Sequence, residues 1–467
     1  MPPILALWLG YGFIYWLFRT DSKHRGMSPA LLVPFFWLLI VSSRPVSFWL
    51  AWIGLNTGGT NNLEGNPVDL VIFLGLIVAA AVILVRRGFS WPEFAGRNVL
   101  IIVAYLFLLS SSMWSEHSFP TVKRVIKDSG AVIVALVLLT EANPMEAIRT
   151  VFIRAAYVLF PLSVIFIKYY PSIGRITGRT GDSMFCGVCM HKSSLGELAF
   201  ILGLFIVVDL VELRKEGEPA NNLINKLIRY GLLLIGAWLV HTCKSATALI
   251  CFALGCIILW GTARLVRMQH PVRALAYCVV LFACVYAVEK GFDVSGMILD
   301  ALGKDRSLTG RTEIWDLAKQ SGTNALLGVG YFSFWTSAAA ESIQQYFAGA
   351  MNSAHNGFLD MYLDGGMVGV SLLLILMLIW GGRSMKRMLA GTVFGRLGFT
   401  IWVLAILFNH SETAFFRLMP MWFTLLLMML RCPYPFDQHE LGEVEEDPEL
   451  EEQGEAYPGE EPKAVPA

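Results

Sequence analysis

Charged residues are scarce in this 467-residue chain, at 15% of the total, whereas hydrophobic residues make up 55% and the mean hydropathy is +0.58. Soluble globular domains carry about 25% charged residues. The alternating apolar pattern of a transmembrane β-barrel is also missing. Instead, the apolar runs are continuous over about 16 to 20 residues, close to the ~20 residues with which a helix crosses a bilayer. Because backbone groups in lipid must be paired within their own segment, these runs predict an all-α, polytopic membrane protein.

Signal-peptide features are missing from the first apolar run, residues 3–18, which has neither a basic leading region nor a small-residue cleavage site. We therefore expect this run to be retained as a span, the first of about 12–13 transmembrane helices. The predicted spans are 3–18, 28–42, 68–85, 98–113, 124–140, 150–167, 193–211, 227–242, 245–262, 273–290, 355–380, 397–410 and 415–430.

Cysteines are few, eight in all, and their spacing forms no disulfide framework. Most lie in or beside apolar spans, where cysteine behaves as a small hydrophobic residue. Cys186 and Cys189 form a C-G-V-C motif in a polar loop. One such pair cannot complete a tetrahedral zinc site, and the thioredoxin-like interpretation needs a βαβ context that this chain lacks. A pair without special function, a local disulfide, and redox or metal use all remain open.

Negative charge is concentrated at the C-terminus, since residues 432–467 hold 12 acidic side chains and one lysine. This composition, with its prolines and glycines, predicts a disordered cytoplasmic tail. The preceding residues, 1–431, carry the balancing positive excess. A basic membrane body favours an anionic lipid or a lipid-linked substrate.

Lysine and arginine in short loops predict the orientation, with the loop at residues 19–25 in the cytoplasm. A second basic set then falls on the outer side, concentrated at 168–192, at Lys244 and at 290–319, which suggests that an anion is bound there. The outer loop 291–354 is too long for a structureless connector, so it should fold, in part as short helices. We expect helical segments after Gly310 and near residues 331–341.

Two outer segments supply candidate substrate-binding residues. Residues 174–197 contain Arg179, His191 and Lys192 among glycines that allow close backbone approach; an ordinary basic surface loop is the alternative. Lys244 lies in a very short turn between two spans, where a lysine is costly unless it pairs or reaches the interface with its long side chain.

A third segment, T-G-R-T-E-I-W, contains Arg311. Arginine suits a diphosphate because its planar guanidinium is always charged and binds two oxygens at once. A structural ion pair with Glu313 or Asp305 is the alternative.

The fourth segment, N-S-A-H-N-G-F-L-D-M-Y-L-D-G-G, contains His355. Asn352 or Ser353 is predicted to cap a helix that begins near this histidine. The positive end of that helix would keep the imidazole neutral, as a general base requires. A capping or packing histidine is the alternative.

Three polar residues follow at helical spacing, Asn356, Asp360 and Asp364, and form one stripe that enters the membrane. Such acids bind substrate or catalyse in some proteins, and orient helices or pair with arginine in others. Glu412, in N-H-S-E-T between the last two predicted spans, should lie on the same side, and we include Asp360 and Glu412 among the candidate substrate-binding residues. Span counting places all of these segments on one face.

At these residues the chain resembles the family of O-antigen ligases and Wzy-type O-antigen and exopolysaccharide polymerases, above all its exopolysaccharide polymerase branch. The matching stretches are S-S-R-P (42–45), E-G-N-P (64–67), W-S (114–115), G-V-C-M-H-K-S-S-L-G (187–196), T-G-R-T-E-I-W (309–315), L-L-G-V-G-Y (326–331), A-H-N-G-F-L-D (354–360), G-G-M-V-G (365–369) and N-H-S-E (409–412). The chain departs from the pattern at Ser193, where asparagine is usual, and at C-K-S, where S-R or S-K is expected.

The resemblance implies a metal-independent, GT-C-like glycosyltransferase domain over residues 1–431, in the bacterial inner membrane, with its active site in the periplasm. Its donor would be a glycan on undecaprenyl diphosphate, and its pathway partners a flippase and a chain-length regulator; it implies no cofactor and no nucleic acid. Arg311 and Lys244 would bind the diphosphate, and His355 would activate the acceptor hydroxyl with inversion at the anomeric carbon.

Polymerase is the preferred interpretation because the H-K-S-S-L-G, S-S-R-P and E-G-N-P blocks are most similar to that branch. A ligase that transfers glycan to a lipopolysaccharide core is the alternative within the same chemistry. A polysaccharide flippase predicts an inverted repeat and broken midplane helices, neither of which the sequence shows convincingly. A purely structural scaffold leaves Lys244, Arg311 and His355 without a purpose.

Overall fold

The computed structural model describes residues 1–22, 28–58, 65–177, 183–213, 222–268, 272, 311–346 and 351–433. The α-helices are α1 (Pro3–Ser22), α2 (Leu32–Val41), α3 (Val46–Trp52), α4 (Pro67–Arg86), α5 (Trp91–Arg97), α6 (Val99–Ser110), α7 (Ser118–Leu139), α8 (Pro144–Tyr169), α9 (Pro171–Gly174), α10 (Lys192–Leu213), α11 (Leu223–Thr242), α12 (Ala246–Leu265), α13 (Arg311–Gln320), α14 (Glu341–Tyr346), α15 (Gly357–Leu389), α16 (Val393–Ser411) and α17 (Pro420–Met429). One short antiparallel hairpin, β1 (Arg175–Thr177) and β2 (Ser183–Phe185), completes the regular structure of this part of the chain. The predicted all-α class is confirmed.

Seven helices are long and apolar enough to cross a membrane: α4, α8, α10, α11, α12, α15 and α16. Two bent pairs, α2 with α3 at 74° and α5 with α6 at 93°, raise the number to nine. The prediction of 12–13 spans also counted three helices outside these nine: α1, which is less apolar than the seven, α7, whose first half carries four charged residues, and α17, which has only ten residues. The predicted span at 273–290 and the acidic tail beyond residue 433 lie outside the described residues.

Helices α8 and α10 form the centre of the bundle, with 83% of each span buried. At the periphery, α4 and α12 are only 17% and 22% buried, although their hydropathy is as high. Apolar helix faces that no protein covers are suited to contact with lipid. The core therefore surrounds α8 and α10, and the outer helices separate it from the bilayer.

The loops that follow α2, α6, α8, α11 and α16 meet at one end of the bundle, which we call the site end. The contacts at this end include Cys189 Sγ to Ser42 O (3.3 Å), Tyr331 N in the long loop to Ser111 Oγ (2.9 Å), and Thr247 Oγ1 at the start of α12 to Ser411 Oγ (2.7 Å). The contacts at the opposite end include Arg87 Nη1 to Thr140 Oγ1 (2.7 Å), Arg431 N to Asn98 Oδ1 (3.0 Å) and Arg387 Nη1 to Met428 O (2.9 Å).

A buried ion-pair network fastens four helices near the opposite end. Asp209 on α10 accepts hydrogen bonds from Arg149 on α8, at 2.8 Å, and from Arg229 on α11, at 3.0 Å. Asp21 on α1 accepts from Arg154 on α8, at 2.8 Å, and from Arg229, at 3.1 Å. All five residues are at most 5% exposed. Arg154 falls within the predicted span 150–167, and in this network Asp21 supplies its counter-charge.

Helix α15 is broken at Gly366, and the loop at 325–330 fills the break. Four backbone hydrogen bonds join the two segments: Val329 N to Leu363 O (3.0 Å), Gly330 N to Asp364 O (2.9 Å), Met367 N to Ala325 O (2.9 Å) and Val368 N to Leu326 O (3.2 Å). Gly366 has φ +60° and ψ −159°, a conformation available almost only to glycine, and a Cβ there would overlap the Leu326 carbonyl. The L-L-G-V-G-Y and G-G-M-V-G motifs are thus the two halves of one backbone interlock.

The long loop has its own small core over the described residues 311–346. Ile314 on α13, Phe334 and Trp335 in a 3-10 turn, and Ile343 on α14 pack against Leu363 of α15. The predicted helix after Gly310 is confirmed as α13. Near residues 331–341, the expected helical structure takes the form of two 3-10 turns, and α14 follows them. Residues 291–310 lie outside the described part of the chain.

Candidate active site

His355 lies in the turn before α15 and has a left-handed backbone, with φ +51°. The prediction that Asn352 or Ser353 caps the helix is wrong. Asn356 is the cap, because its Oδ1 accepts hydrogen bonds from Phe358 N and Leu359 N, both at 3.1 Å. His355 therefore precedes the helix, and its side chain is free to point away from the axis.

His355 is paired with Glu412, which follows α16. Its Nδ1 lies 3.1 Å from Glu412 Oε2, and the Glu412 carbonyl accepts a hydrogen bond from Gly357 N at 3.0 Å. The histidine side chain is 40% exposed and the glutamate only 8%. A carboxylate at Nδ1 orients the imidazole and leaves Nε2 to accept a proton. The arrangement is that of a general base supported by an acid.

His191 is an exposed residue at the start of α10, within electrostatic reach of the His355–Glu412 pair. Partial loss of hydration and the nearby His355 lower the pKa of His191, against the opposing charge of Glu412. Glu412, predicted as a substrate-binding residue, thus contacts His355 and acts on His191 through its charge.

Two lysines at the site end meet no carboxylate within 4 Å among the described residues. Lys192 is the first residue of α10, and Lys244 is exposed in the turn between α11 and α12, with φ +50°. The start of α10 packs against the turn that contains Lys244, since a Cβ added to Gly196 of α10 would lie 3.2 Å from Cys243 Sγ. Because Lys244 is exposed, it avoids the desolvation cost that its position between two spans had suggested. Both cations are available to an anion.

Asp360 is buried beneath the His355 turn, at 2% exposure. Its carboxylate accepts hydrogen bonds from Trp335 Nε1 (2.9 Å), Ala354 N (3.0 Å) and Thr413 Oγ1 (2.5 Å). These donors come from the long loop, the His355 turn and the loop after α16. The carboxylate thus fixes three segments around His355, and its predicted substrate-binding role stays a prediction.

Asp364 is paired with Arg417, a residue that sequence reasoning missed. Arg417 Nη2 lies 2.6 Å from Asp364 Oδ2, and its guanidinium lies 3.9 Å from the ring centroid of Phe332. Arg124 contacts the same ring at 4.9 Å and donates to Phe332 O at 2.5 Å. The polar stripe of Asn356, Asp360 and Asp364 therefore serves as cap, loop anchor and ion pair.

Helix α13, which begins at Arg311, packs against the His355 turn. Trp315 Nε1 donates to Ala354 O at 2.9 Å, and its ring lies 6.2 Å from that of His410. The backbone at Arg311 is described but not its side chain, so its predicted diphosphate contact stays a prediction. Arg179 lies outside the described residues.

The C-G-V-C pair fastens the β-hairpin to the bend between α2 and α3. Both thiols are free and buried: Cys186 Sγ donates to Ile173 O and Cys189 Sγ to Ser42 O, each at 3.3 Å. Burial raises the pKa of both thiols, which opposes formation of a reactive thiolate. Among the described residues, no three His, Cys, Asp or Glu side chains are grouped so that they could hold a metal ion.

Comparison with known proteins agrees with these motifs. Residues 230–374 match the O-antigen ligase family. That stretch includes Lys244, α13 and His355. The chain is also 24% identical over 298 residues to the exopolysaccharide production protein ExoQ of Rhizobium meliloti (strain 1021). This alignment covers 61% of the present chain. The resemblance to the O-antigen ligase and ExoQ-like family is confirmed. The alignment spans 65% of the length of ExoQ, slightly less than two thirds. The chain is thus a multi-pass membrane protein that is similar, over the matched residues, to the O-antigen ligase family and to an exopolysaccharide production protein.

Proposed function

We propose that the protein polymerises undecaprenyl-diphosphate-linked repeat units into a surface polysaccharide or exopolysaccharide at the periplasmic face of the inner membrane. The observation that carries the proposal is the half-exposed His355 backed by buried Glu412, close to the turns that present Lys192 and Lys244. A base beside unpaired cations suits attack by a hydroxyl on a sugar that leaves as a diphosphate.

In the proposed reaction, the acceptor hydroxyl oxygen attacks the anomeric carbon of the donor while its proton passes to His355 Nε2. The bond from that carbon to the diphosphate oxygen breaks with inversion, and undecaprenyl diphosphate leaves with the electron pair. Glu412 stabilises the imidazolium that forms. Lys244 and Arg311 bind the leaving diphosphate, where charge develops in the transition state.

Polymerase is preferred over ligase because the similarity to ExoQ, an exopolysaccharide production protein, extends over 298 residues. The matched family is described as O-antigen ligase, so transfer to a lipopolysaccharide core is the second candidate. The break in α15 is a feature that a flippase would also have. Here, however, the loop at 325–330 fills the break and pairs its backbone groups, so the broken backbone is not left open to bind a transported substrate.

The decisive experiment incubates the purified protein in nanodiscs with a lipid-linked repeat unit from a host that carries its gene. A ladder of lipid-linked oligomers is expected. If the protein instead consumes the donor only when lipopolysaccharide core is added, the ligase reading replaces the polymerase. If neither acceptor yields product and the substrate moves between leaflets of a proteoliposome, glycosyl transfer is the wrong class.

The proposed orientation predicts opposite labelling of two introduced cysteines. Ser342, on α14, is exposed near the site end, and Ala142, between α7 and α8, is exposed at the other. In whole cells with a permeable outer membrane, a membrane-impermeant maleimide should label Ser342→Cys, and should label Ala142→Cys only after lysis. The reverse pattern would place His355 in the cytoplasm and remove access to a periplasmic donor.

A further inference from the structure

Arg44 lies in the 74° bend that interrupts the α2–α3 span. Pro45, the residue before α3, cannot donate the backbone hydrogen bond that a continuous helix would need there. The chain therefore turns at the site end and carries the arginine inward. Its side chain is enclosed, since the residue is only 6% exposed.

The contacts of Arg44 satisfy only part of the guanidinium. Its Nη2 donates to Ile173 O at 2.5 Å and lies 3.5 Å from Cys186 Sγ. The Phe48 ring lies 4.4 Å from the guanidinium carbon. The buried Nε has no hydrogen-bond partner. Within the described residues, no carboxylate lies within ion-pair distance of this arginine.

Four other buried arginines in the described residues, unlike Arg44, form an ion pair with a carboxylate. Arg149, Arg154, Arg229 and Arg417 each meet an aspartate at 3.1 Å or less. Burying a cation without a counter-charge costs stability. A bend that keeps such a cation beside a candidate active site indicates that an anion from outside the chain supplies the missing charge.

The position of Arg44 relative to the site supports this interpretation. Its charge acts on His191, which also lies within reach of His355 and Glu412. Through Ile173 and Cys186 it holds both ends of the β-hairpin segment that leads to His191. An anion at Arg44 would therefore lie on the His191 side of the His355–Glu412 pair.

We propose that Arg44 binds the phosphate groups of the lipid-linked donor, as a further cation beside Lys244 and Arg311. The proposal rests on the proposed function for the identity of that donor. A guanidinium suits this role because its donors fit two phosphate oxygens at once. The bound phosphate supplies the counter-charge that the described protein residues do not.

The test uses the full chain in nanodiscs and compares wild type, Arg44→Gln and Arg175→Gln. Arg175 is a matched control, because it also donates to a carbonyl, Ile167 O at 2.9 Å, and lies 5.3 Å from a ring centroid, that of Phe185. The melting temperature is followed while inorganic pyrophosphate or farnesyl diphosphate is titrated. Wild type and Arg175→Gln should be stabilised by the diphosphates. Arg44→Gln should need at least tenfold more ligand for the same shift, whatever the loss of its contacts with Ile173 and Cys186 does to the melting temperature without ligand.

Three results would overturn the proposal. The first is an Arg44→Gln protein that melts lower without ligand but keeps the full diphosphate shift, which would show that Arg44 only anchors the hairpin. The second is a wild type that neither diphosphate stabilises. The third is a response to inorganic pyrophosphate alone, which would exclude the lipid-linked donor as the source. Failure of the proposed function is distinguishable, since wild type would then bind farnesyl diphosphate through Arg44 and yet form no polymer.

Discussion

Replacing His355 with alanine should lower the rate of polymer formation by about 100- to 10,000-fold, the range that a general base contributes. The reason is geometric: Glu412 fixes Nδ1 at 3.1 Å, and the 40% exposed imidazole is left to take the acceptor proton through Nε2. Donor binding should change little, because the proposed diphosphate contacts are cations elsewhere. The rate of oligomer formation and the affinity for farnesyl diphosphate are measured on the same preparation.

His241→Ala is the matched control, since this histidine is exposed at the end of α11 and at the same end of the bundle. It should keep the wild-type rate. Glu412→Gln provides a second comparison. If Glu412 acts through His355, the double variant should be no slower than His355→Ala alone, because groups that act as a unit are not additive. A His355→Ala protein that polymerises normally would remove the base from the proposal.

The broad architecture could be predicted from the sequence because hydropathy depends on each segment by itself. Alternation of spans placed the segments of His191, Lys244, His355 and Glu412 on one face, and their contacts at the site end agree. The span count was less secure where a helix departs from uniform apolarity. In α7, the charged residues of the first half face a loop that comes from about 200 residues later, as Arg124 and Phe332 show.

The details of the site depended on partners remote in sequence. Asp360 accepts hydrogen bonds from Trp335 and Thr413, and Asp364 forms an ion pair with Arg417. No local sequence pattern identifies these partners. The cap of α15 was misplaced because several adjacent polar residues can serve as caps. The left-handed conformation of His355 decides in favour of Asn356, and a sequence does not display it.

Positive charge at the opposite end has two roles that the sequence could not separate. Counting basic residues predicted orientation, yet Arg149 and Arg229 are there as members of the buried network around Asp209. Arg87 likewise is bonded to Val137 O, at 2.9 Å, and to Glu141. Residues that favour one orientation during insertion thus also hold the finished bundle together.

Loss of Asp209 should therefore destabilise the protein more than any surface change. Asp209 is 0% exposed and accepts hydrogen bonds from two buried arginines, Arg149 and Arg229. Removing one partner of a buried ion pair costs about 3–5 kcal/mol, because the remaining charge is left in a medium that solvates it poorly. Asp209→Asn should consequently accumulate little folded protein and should melt well below wild type in the same detergent.

The matched comparison is Glu93→Gln, which removes the partner of Arg97 in an i,i+4 pair at 2.7 Å whose side chains are 43% and 31% exposed. Such a pair contributes about 0.2–1 kcal/mol, so this variant should remain close to wild type. Adding Arg149→Met to Asp209→Asn should restore part of the lost stability, since one of the two cations that faced the lost carboxylate is then gone and the other, Arg229, keeps Asp21. Equal melting temperatures for Asp209→Asn and Glu93→Gln would mean that the network does not hold α8, α10 and α11 together.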